Sequence, residues 1–292
     1  MNPPASASGG QEAGKPEGAT FGVDAPMVPL ALGSAALLLV IIGVVLMITN
    51  GLAGLVAVIF GSFFGLCVFS YLYTTLHGKF VWWSELLDDA GLKGDECAVD
   101  LGCGRGAVVV SLAKRLTRGR VAGIDLWRSR DQSGNDIEAI KHNARACGVE
   151  DRVELNTGNI TTLPYDDGQF DLVVSSLAIH NLKAREDRRQ AITEAVRVLE
   201  PGGKIIIADI SHAEDYADWL TEAGMESVTL QDLGVRGWWG GPWMPTSAVT
   251  ASRPGRSSAR ASLRFRLALR QDRRADRSSS LDGDQQSIAD RE

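Results

Sequence analysis

The sequence has few of the residues that build metal and disulfide sites. It contains four cysteines and four histidines in 292 residues, and no two cysteines stand in a C-x-x-C pair. This spacing gives no metal site and no disulfide framework, and it fits reduced thiols facing the cytoplasm. An excess of basic residues is lacking too, since the formal net charge is -6. That charge argues against nucleic acid as a partner of the whole molecule.

Charged residues are absent from the whole stretch 25–76. The pair Asn50-Gly51, which has strong turn chemistry, divides this stretch into two apolar halves. Each half has about twenty residues, the length that spans a bilayer core as a helix. We therefore expect two transmembrane helices, roughly 27–49 and 52–73, and the alternative is a hairpin buried inside a soluble protein. Basic residues just after the second span favour the cytoplasm for both flanks.

Both ends of the chain are predicted to be disordered tails. Residues 1–24 lack apolar periodicity, and no basic segment leads into the apolar stretch as it would in a signal peptide. Residues 254–292 are rich in Arg, Ser and Asp. Their stretch 264–270 alternates basic and apolar residues, which leaves open a contact with anionic lipid. Between the tails we expect a membrane segment at 25–77 and a second domain at 78–253.

The second domain alternates strand and helix patterns. Strands are expected at 96–101, 120–125, 152–157, 170–175, 204–210, 226–233 and 246–252. Such alternation predicts an α/β fold with helices on both faces of a parallel sheet. No helix pattern separates the last two strands, so a hairpin there makes the last strand antiparallel. Ahead of the first strand, residues 80–83 (FVWW) either lie at the membrane interface or pack a helix against the domain.

A glycine-rich turn follows the first strand. Gly102, Gly104 and Gly106 remove every Cβ that would keep a ligand off the backbone, and the turn leads into the start of a helix. Asp100 stands at the end of the strand, where its carboxylate would repel a pyrophosphate and attract a positively charged ligand. S-adenosylmethionine, with its ammonium and sulfonium groups, is such a ligand.

Polar residues also follow the next three strands. Ligands in open α/β sheets bind beyond the carboxyl ends of the strands. After the second strand, Asp125 is placed to accept hydrogen bonds from ribose hydroxyls, while Leu126 and Trp127 can cover an adenine face. Packing at the domain edge is the alternative for Trp127. After the third strand, the Asn159 amide can bond an adenine edge, and the fourth strand ends at Ser176, near the reacting group.

Four motifs occur in the order typical of one family. They are the D-x-G-x-G-x-G turn at 100–106, the acid at 125, LPYDDGQFD at 163–171 and RVLEPGGK at 197–204. On these motifs, residues 82–252 resemble class I S-adenosylmethionine-dependent methyltransferases. The resemblance is strongest to the small-molecule branch that includes the ubiquinone and menaquinone biosynthesis methyltransferases. It implies a Rossmann-like seven-stranded sheet with an antiparallel last strand. It also implies that Asp100 and the glycines hold the methionine part, Asp125 the ribose and Asn159 the adenine.

The resemblance does not identify the acceptor. Quinone-modifying members usually carry a Leu-Arg-Asn element after the fourth strand, where this chain has AIHN at 178–181. Arsenite-methylating relatives place several cysteines beside the acceptor, and the cysteines here fall elsewhere. His180 is the candidate general base, because its unperturbed pKa is about 6.5 and it follows the fourth strand. A hydrogen-bonding role in the loop is the alternative for His180, and His212 is a second candidate base.

The sequence as a whole predicts a multi-pass membrane protein with a cytoplasmic catalytic domain. It would move a methyl group from S-adenosylmethionine to a small or lipid-like acceptor. An NAD(P)-dependent oxidoreductase is one alternative, and a non-catalytic cofactor-binding membrane scaffold is another. The segment 128–135 is expected to form a lid over the cofactor or a long loop capped by Asn135 at the next helix.

Overall fold

The computed structural model describes residues 18–128 and 130–255. Three helices come first: α1 (Met27–Thr49), α2 (Gly51–Tyr73) and α3 (Lys79–Asp89). The sheet domain then contains β1 (Cys97–Leu101), α4 (Ala107–Arg115), β2 (Arg120–Asp125), α5 (Ile137–Ala146), β3 (Val153–Thr157), β4 (Phe170–Ser176), α6 (Arg185–Val198), β5 (Leu199–Asp209), α7 (Ala213–Glu222), β6 (Glu226–Asp232) and β7 (Ser247–Ser252). Most of both predicted tails, at 1–17 and 256–292, lies outside the described residues.

The seven strands form one sheet in the order β3-β2-β1-β4-β5-β7-β6. The strands from β3 to β5 pair in parallel, whereas β7 runs antiparallel to both of its neighbours. The predicted fold class, a seven-stranded sheet with an antiparallel last strand, is confirmed. The strand order reverses between β1 and β4, and ligands bind at such a reversal, beyond the carboxyl ends of the strands.

Helices cover both faces of the sheet because successive strand residues point to opposite sides. In β1, Ala98 belongs to the core under α3, α4 and α5, while its neighbour Val99 belongs to the core under α6 and α7. Both residues are fully buried. Burial on two faces explains why the parallel strands are almost continuously apolar in the sequence. The core therefore fixes the strand ends that carry the site.

The two apolar helices α1 and α2 form a tight antiparallel hairpin. Asn50 ends α1 and caps α2, because its side chain accepts a hydrogen bond from the Ala53 N–H. The helices touch closely at Gly54, where a Cβ would lie 2.5 Å from the Met47 nitrogen. Large apolar side chains, including Leu30 and Phe69, are exposed on the outside of the hairpin. Both helices are long and apolar enough to cross a membrane.

The second helix of the hairpin continues directly into the sheet domain. A π-helical turn (Thr74–Gly78) joins α2 to α3 without a break. Trp82 and Trp83, on α3, are 1% and 2% exposed and belong to the domain core. Of the two interpretations of residues 80–83, packing against the domain is therefore the correct one for these indoles. The continuous helix also fixes the hairpin relative to the sheet.

Residues 18–25, here called the N-terminal strap, lie against the sheet domain. The predicted disordered tail included most of this strap, so the structure differs from that prediction at residues 18–24. Phe21 is buried against Phe80, with ring centroids 5.3 Å apart, and the Thr20 N–H donates to Asn143 Oδ1 at 2.8 Å. At the hairpin, the Asp24 carboxylate accepts a hydrogen bond from Lys79 Nζ at 2.7 Å. These partners are distant in sequence, so local composition gave no sign of them.

Candidate active site

A single cavity of about 680 Å³ extends from the carboxyl ends of the strands to the foot of the hairpin. Eight of the predicted site residues line it: Asp100, Gly102, Gly104, Asp125, Leu126, Asn159, Ser176 and His180. They come from loops that follow β1, β2, β3 and β4 or from the last residues of these strands. The topology thus brings residues from four separate stretches of sequence into one site.

Asp100 is a buried carboxyl group without a full set of partners. It is 1% exposed, and its Oδ1 atom has no hydrogen-bond partner among the described residues. Burial, together with the nearby charge of Asp125, raises the pKa of Asp100 to about 8. A buried polar atom left unpaired is costly, and an ammonium group in the cavity would supply the missing partner. The site is therefore complementary to a cationic ligand.

The glycine turn beside Asp100 leaves no room for side chains. Gly102 and Gly104 have φ angles of 78° and 50°, in the left-handed region that favours glycine. A Cβ on Gly102 would lie 2.2 Å from the Ala178 Cβ, and one on Gly104 would lie 2.6 Å from Gln132 Oε1. The turn therefore requires glycine at both positions, and both glycines line the cavity.

Hydrogen-bonding groups for a nucleoside stand next to this turn. The Asp125 carboxylate accepts hydrogen bonds from the backbone N–H groups of Gly104 at 2.9 Å and Trp127 at 2.6 Å. The oxygen that binds Trp127 also accepts from the Asn135 amide at 3.3 Å, whereas Oδ2 keeps a further lone pair, which a ribose hydroxyl can use. Asn159 accepts a hydrogen bond from the Thr161 N–H at its Oδ1 atom, which leaves its NH2 group to donate to a base edge.

Two predicted cofactor residues do not line the cavity. Gly106 precedes α4, where a Cβ would lie 2.6 Å from the Ile140 Cγ1 atom, so this glycine allows α4 and α5 to pack. The Trp127 indole donates to Thr157 Oγ1 at 2.8 Å, and its ring packs on the domain core. For Trp127 the edge-packing interpretation is the one that the structure favours. The adenine-facing role predicted for it falls to Leu126 alone, whose side chain does line the cavity.

His180 forms a dyad with an acid that the sequence analysis missed. Its Nδ1 atom lies 2.5 Å from Oδ1 of Asp209, the last residue of β5, and its backbone N–H donates to the other carboxylate oxygen. Burial lowers the pKa of His180, but the hydrogen bond and charge of Asp209 raise it more, so the net shift is upward. A proton held on Nδ1 leaves Nε2 as the basic atom. Asp209 could have been found, since it ends a predicted strand at the same sheet edge.

His212, the second candidate base, lies away from the site. It is absent from the cavity lining, and its ring is 3.8 Å from the Asp215 carboxylate at the start of α7. The Trp83 indole is a lining residue that the sequence did not indicate, and it donates to the Ser176 hydroxyl at 2.8 Å. The tryptophan therefore fixes the Ser176 side chain at the cavity wall.

The segment 128–135 forms one wall of the cavity. Gln132 accepts a hydrogen bond from the Arg105 N–H at 2.8 Å and donates to Asp24 Oδ1 at 2.9 Å, so it connects the glycine turn to the N-terminal strap. The next helix is capped by Asp136, whose side chain accepts from the Glu138 N–H, and not by Asn135 as predicted. Asn135 lines the cavity instead.

Comparisons with known proteins assign the sheet domain to one family. Residues 99–207 match a family model described as a methyltransferase domain. Methyltransferase GfsG of Streptomyces halstedii is 37% identical over 175 residues, which cover 51% of this chain and 59% of that protein. Demethylmenaquinone methyltransferase of Lactiplantibacillus plantarum is 32% identical over 134 residues, which cover 46% of this chain and 53% of that protein. The crystal structure of a SAM dependent methyltransferase from Aquifex aeolicus has a TM-score of 0.47 at 19% identity and covers 58% of this chain and 88% of that chain.

The chain spans about half the length of the curated relatives that it matches. For the sheet domain, the predicted resemblance to methyltransferases is confirmed, and S-adenosylmethionine is the cofactor that this resemblance implies. The residues present fit this cofactor. Asp100 has an unpaired buried oxygen for an ammonium group, and Gly102 and Gly104 line the cavity without side chains.

Proposed function

We propose that this chain, whose sheet domain is a class I S-adenosylmethionine-dependent methyltransferase domain, transfers a methyl group to a small acceptor at a membrane. The observation that carries the proposal is the continuity of the cavity. One space is lined by Asp100 and Asp125 of the sheet edge, by His180, and by Met27 of the apolar hairpin. A donor and an acceptor held in this space would meet beside His180.

Polar groups of the chain fit the methyl donor. Bound S-adenosylmethionine supplies an electrophilic methyl group on its sulfonium. Asp100 would bind the ammonium group, Asp125 the ribose hydroxyls and Asn159 the adenine edge. The glycine turn would let the methionine part approach the backbone N–H groups at the start of α4. These residues bind and orient, and none of them needs to change its covalent state.

His180 and the enclosure of the site fit a methyl acceptor. Holding two reactants in line and excluding water lowers the free-energy barrier of a transfer between two molecules by about 7–11 kcal/mol at best. Where the acceptor must lose a proton, His180 Nε2 would receive it, and Asp209 would hold the ring and stabilise the imidazolium. Ser176 and Trp83 would form the wall against which the acceptor rests.

Anchoring in a membrane is the second part of the proposal. It is supported by two helices without charged residues whose outer faces carry exposed apolar side chains. Contiguous apolar surface of this extent requires a partner, and a lipid bilayer provides one. We infer that both helices cross the bilayer with the sheet domain on the cytoplasmic side. A small or lipid-like acceptor dissolved in that bilayer would then be close to the cavity.

Labelled methyl transfer tests the proposal. The full-length protein in phospholipid vesicles is incubated with methyl-labelled S-adenosylmethionine and either a membrane lipid extract or the matching aqueous extract. We expect label in the lipid fraction, and we expect Asp125→Ala to abolish it. Label only in the aqueous fraction would overturn the lipid-like acceptor. Binding of the cofactor without transfer in either extract would favour a non-catalytic scaffold, and binding of NAD in its place would favour an oxidoreductase.

A further inference from the structure

We propose that residues 238–244, between β6 and β7, enter the bilayer beside α2 and complete a lateral portal into the cavity. This segment is called the portal loop below. The inference rests on the proposed function and names its acceptor class, a molecule whose long apolar tail stays in the bilayer while its head group reaches His180.

The portal loop follows one face of α2 for three helical turns. The Trp238 carbonyl accepts hydrogen bonds from the Ser70 and Thr74 hydroxyls, at 3.1 and 2.8 Å. Further along the helix, the ring centroids of Trp243 and Phe63 are 5.7 Å apart. These α2 positions lie on one helical face at successive spacings of seven and four residues. The loop is therefore packed along the helix, and does not extend away from it into water.

The position of Trp243 along α2 corresponds to the interior of a bilayer. Phe63 precedes Tyr73, the last residue of α2, by ten positions, which is about 15 Å at a rise of 1.5 Å per residue. The hydrocarbon core of a bilayer is about 30 Å thick, so a helix that crosses it would hold Phe63 near the middle. Trp243 is 60% exposed at this level. In water this exposure would be unfavourable, but in a bilayer the ring would contact acyl chains.

The portal loop has few polar groups that would oppose burial in lipid. Residues 237–252 contain no charged side chain. The N–H groups of Trp239 and Met244 donate to carbonyls of the same segment, and the Trp239 indole donates to Thr246 Oγ1. Pro242 has no N–H to satisfy. Irregular backbone is tolerated at membrane depth where it is buried in protein, and Trp239, Gly240 and Gly241 are buried.

Residues of the portal loop and of the hairpin line one end of the cavity, where the proposed portal lies. The paired Asp24 and Lys79 line the cavity at this end. Five further residues line it here: Met27 and Val28 from the first turn of α1, Tyr71 of α2, and Trp239 and Met244 of the portal loop. Four of these five side chains are apolar or aromatic without an ionisable group. A mouth with these apolar side chains, placed where both helices join the domain, would accept an apolar tail from the bilayer.

The other end of the portal loop is fastened to the sheet domain. Arg236 pairs with Glu85 of α3 at 2.7 Å, and a Cβ on Gly78 would lie 2.1 Å from the Arg236 carbonyl oxygen. Because α3 continues α2 without a break, one continuous helix contacts both ends of the loop. The loop therefore keeps its position when the hairpin is inserted.

The depth of Trp243 can be measured without any methyl transfer. The full-length protein is reconstituted in phosphatidylcholine vesicles that carry bromine at shallow or deep acyl positions, and the quenching of tryptophan fluorescence is recorded. We expect the deep-brominated lipid to quench a component that disappears in Trp243→Phe. The control variant is Trp219→Phe, whose indole belongs to α7 and is buried in the core under α6 and α7. It should leave the quenched component in place.

Vesicle flotation separates failure of this inference from failure of the proposed anchor. Protein that floats with vesicles but shows the same deep quenching in Trp243→Phe as in the wild type would overturn the portal loop and leave the anchor standing. Absence of the deep-quenched component in the wild type because Trp243 packs against a second copy of the chain would overturn the portal loop as well. Sedimentation in detergent would detect that second copy as a dimer.

The portal is tested by narrowing its mouth. Val28→Trp fills the mouth, and Val45→Trp adds the same bulk on the exposed side of α1. In the membrane lipid extract, we expect Val28→Trp to reduce label transfer about tenfold or more, with unchanged affinity for S-adenosylmethionine and unchanged flotation. Val45→Trp should transfer label as the wild type does. Equal transfer by both variants would overturn the portal.

Discussion

The Asp209 carboxylate holds the His180 imidazole by its Nδ1 atom, at 2.5 Å, and by the backbone N–H of the same residue, at 3.1 Å. Asp209 is 1% exposed and ends β5, whereas His180 follows β4. Two neighbouring parallel strands thus deliver the ring and its carboxylate to the same edge. The arrangement fixes which nitrogen carries the proton and directs the chemistry to Nε2.

Replacing Asp209 tests this dyad. The carboxylate raises the pKa of His180, and only the neutral ring can accept a proton, so wild-type activity should rise with pH through a value above 6.5. In Asp209→Asn we expect this midpoint to move to lower pH and the plateau of kcat to fall roughly tenfold to a hundredfold. The measurement is the pH dependence of labelled methyl transfer.

The control for the dyad is His212→Asn, because His212 lies outside the cavity and asparagine tolerates its left-handed backbone. It should keep both the midpoint and the plateau. A fall in the plateau of Asp209→Asn without any shift of the midpoint would reduce Asp209 to a structural role. Unchanged activity in His180→Gln would show that the acceptor needs no base.

Asp100 makes the stability of the cofactor-free protein depend on pH. Its pKa is raised from 3.8 to about 8, so between these values the folded chain holds a proton that the unfolded chain has released. The unfolded state then binds fewer protons, and the free energy of unfolding should fall as pH rises across this interval. Asp100→Asn should remove most of this fall.

Chemical denaturation of the detergent-solubilised protein between pH 5 and 8.5 measures this slope. Asp151→Asn is the matched control, because the Asp151 side chain is 75% exposed and should contribute little to the slope. If the free energy of unfolding depends on pH in the same way in the wild type and in Asp100→Asn, the raised pKa does not belong to Asp100.

The glycine turn predicts a specific loss of cofactor affinity. In Gly104→Val the side chain would meet Gln132 at the wall of the cavity, so we expect S-adenosylmethionine to bind at least about tenfold more weakly by calorimetry, a loss of about 1.4 kcal/mol. Gly91→Val carries the same backbone strain, since Gly91 also has a positive φ angle, but nothing lies within 4 Å of its Cβ. Equal affinities of Gly104→Val and Gly91→Val for S-adenosylmethionine would show that Gly104 is not part of the cofactor site.

The ion pair between Asp24 and Lys79 should hold the N-terminal strap to the hairpin. The Lys79 side chain is 4% exposed, so Asp24→Ala leaves a buried charge without its partner and should lower the free energy of unfolding by about 3 kcal/mol. The double variant Asp24→Ala, Lys79→Met should recover most of that loss. Denaturation curves of the single and double variants measure both effects.

An exposed ion pair provides the comparison for the strap. Asp88 binds Arg115 with 65% of its side chain exposed, so Asp88→Ala should cost less than about 1 kcal/mol. If the double variant Asp24→Ala, Lys79→Met is no more stable than Asp24→Ala, the loss of stability does not come from an unpaired buried charge on Lys79.

The sequence was sufficient where local chemistry decides the structure. The alternation of strands and helices predicted the sheet, and the absence of a helix between the last two strands predicted that β7 is antiparallel. Asn50-Gly51 marked the hairpin turn because its chemistry is local. Asp100, Asp125 and Asn159, which were predicted as site residues, line one cavity because the carboxyl ends of parallel strands share one edge.

Features that depend on distant contacts escaped the sequence analysis. The N-terminal strap has tail-like composition, yet Thr20 bonds Asn143 across the fold. Gly106 belongs to the glycine motif, but its neighbour in space is Ile140, which no local pattern reveals. The contact between Trp243 and Phe63 likewise joins two segments that nothing in the sequence relates.

The central claim is that the cavity between Asp100 and His180 holds S-adenosylmethionine. Calorimetric titration of the full-length protein with S-adenosylmethionine and, separately, with NAD tests it most directly. The account predicts saturable binding of S-adenosylmethionine at one site per chain, strongly weakened in Asp125→Ala, and no binding of NAD. Binding of NAD in preference to S-adenosylmethionine, or an affinity for S-adenosylmethionine that Asp125→Ala leaves unchanged, would contradict it.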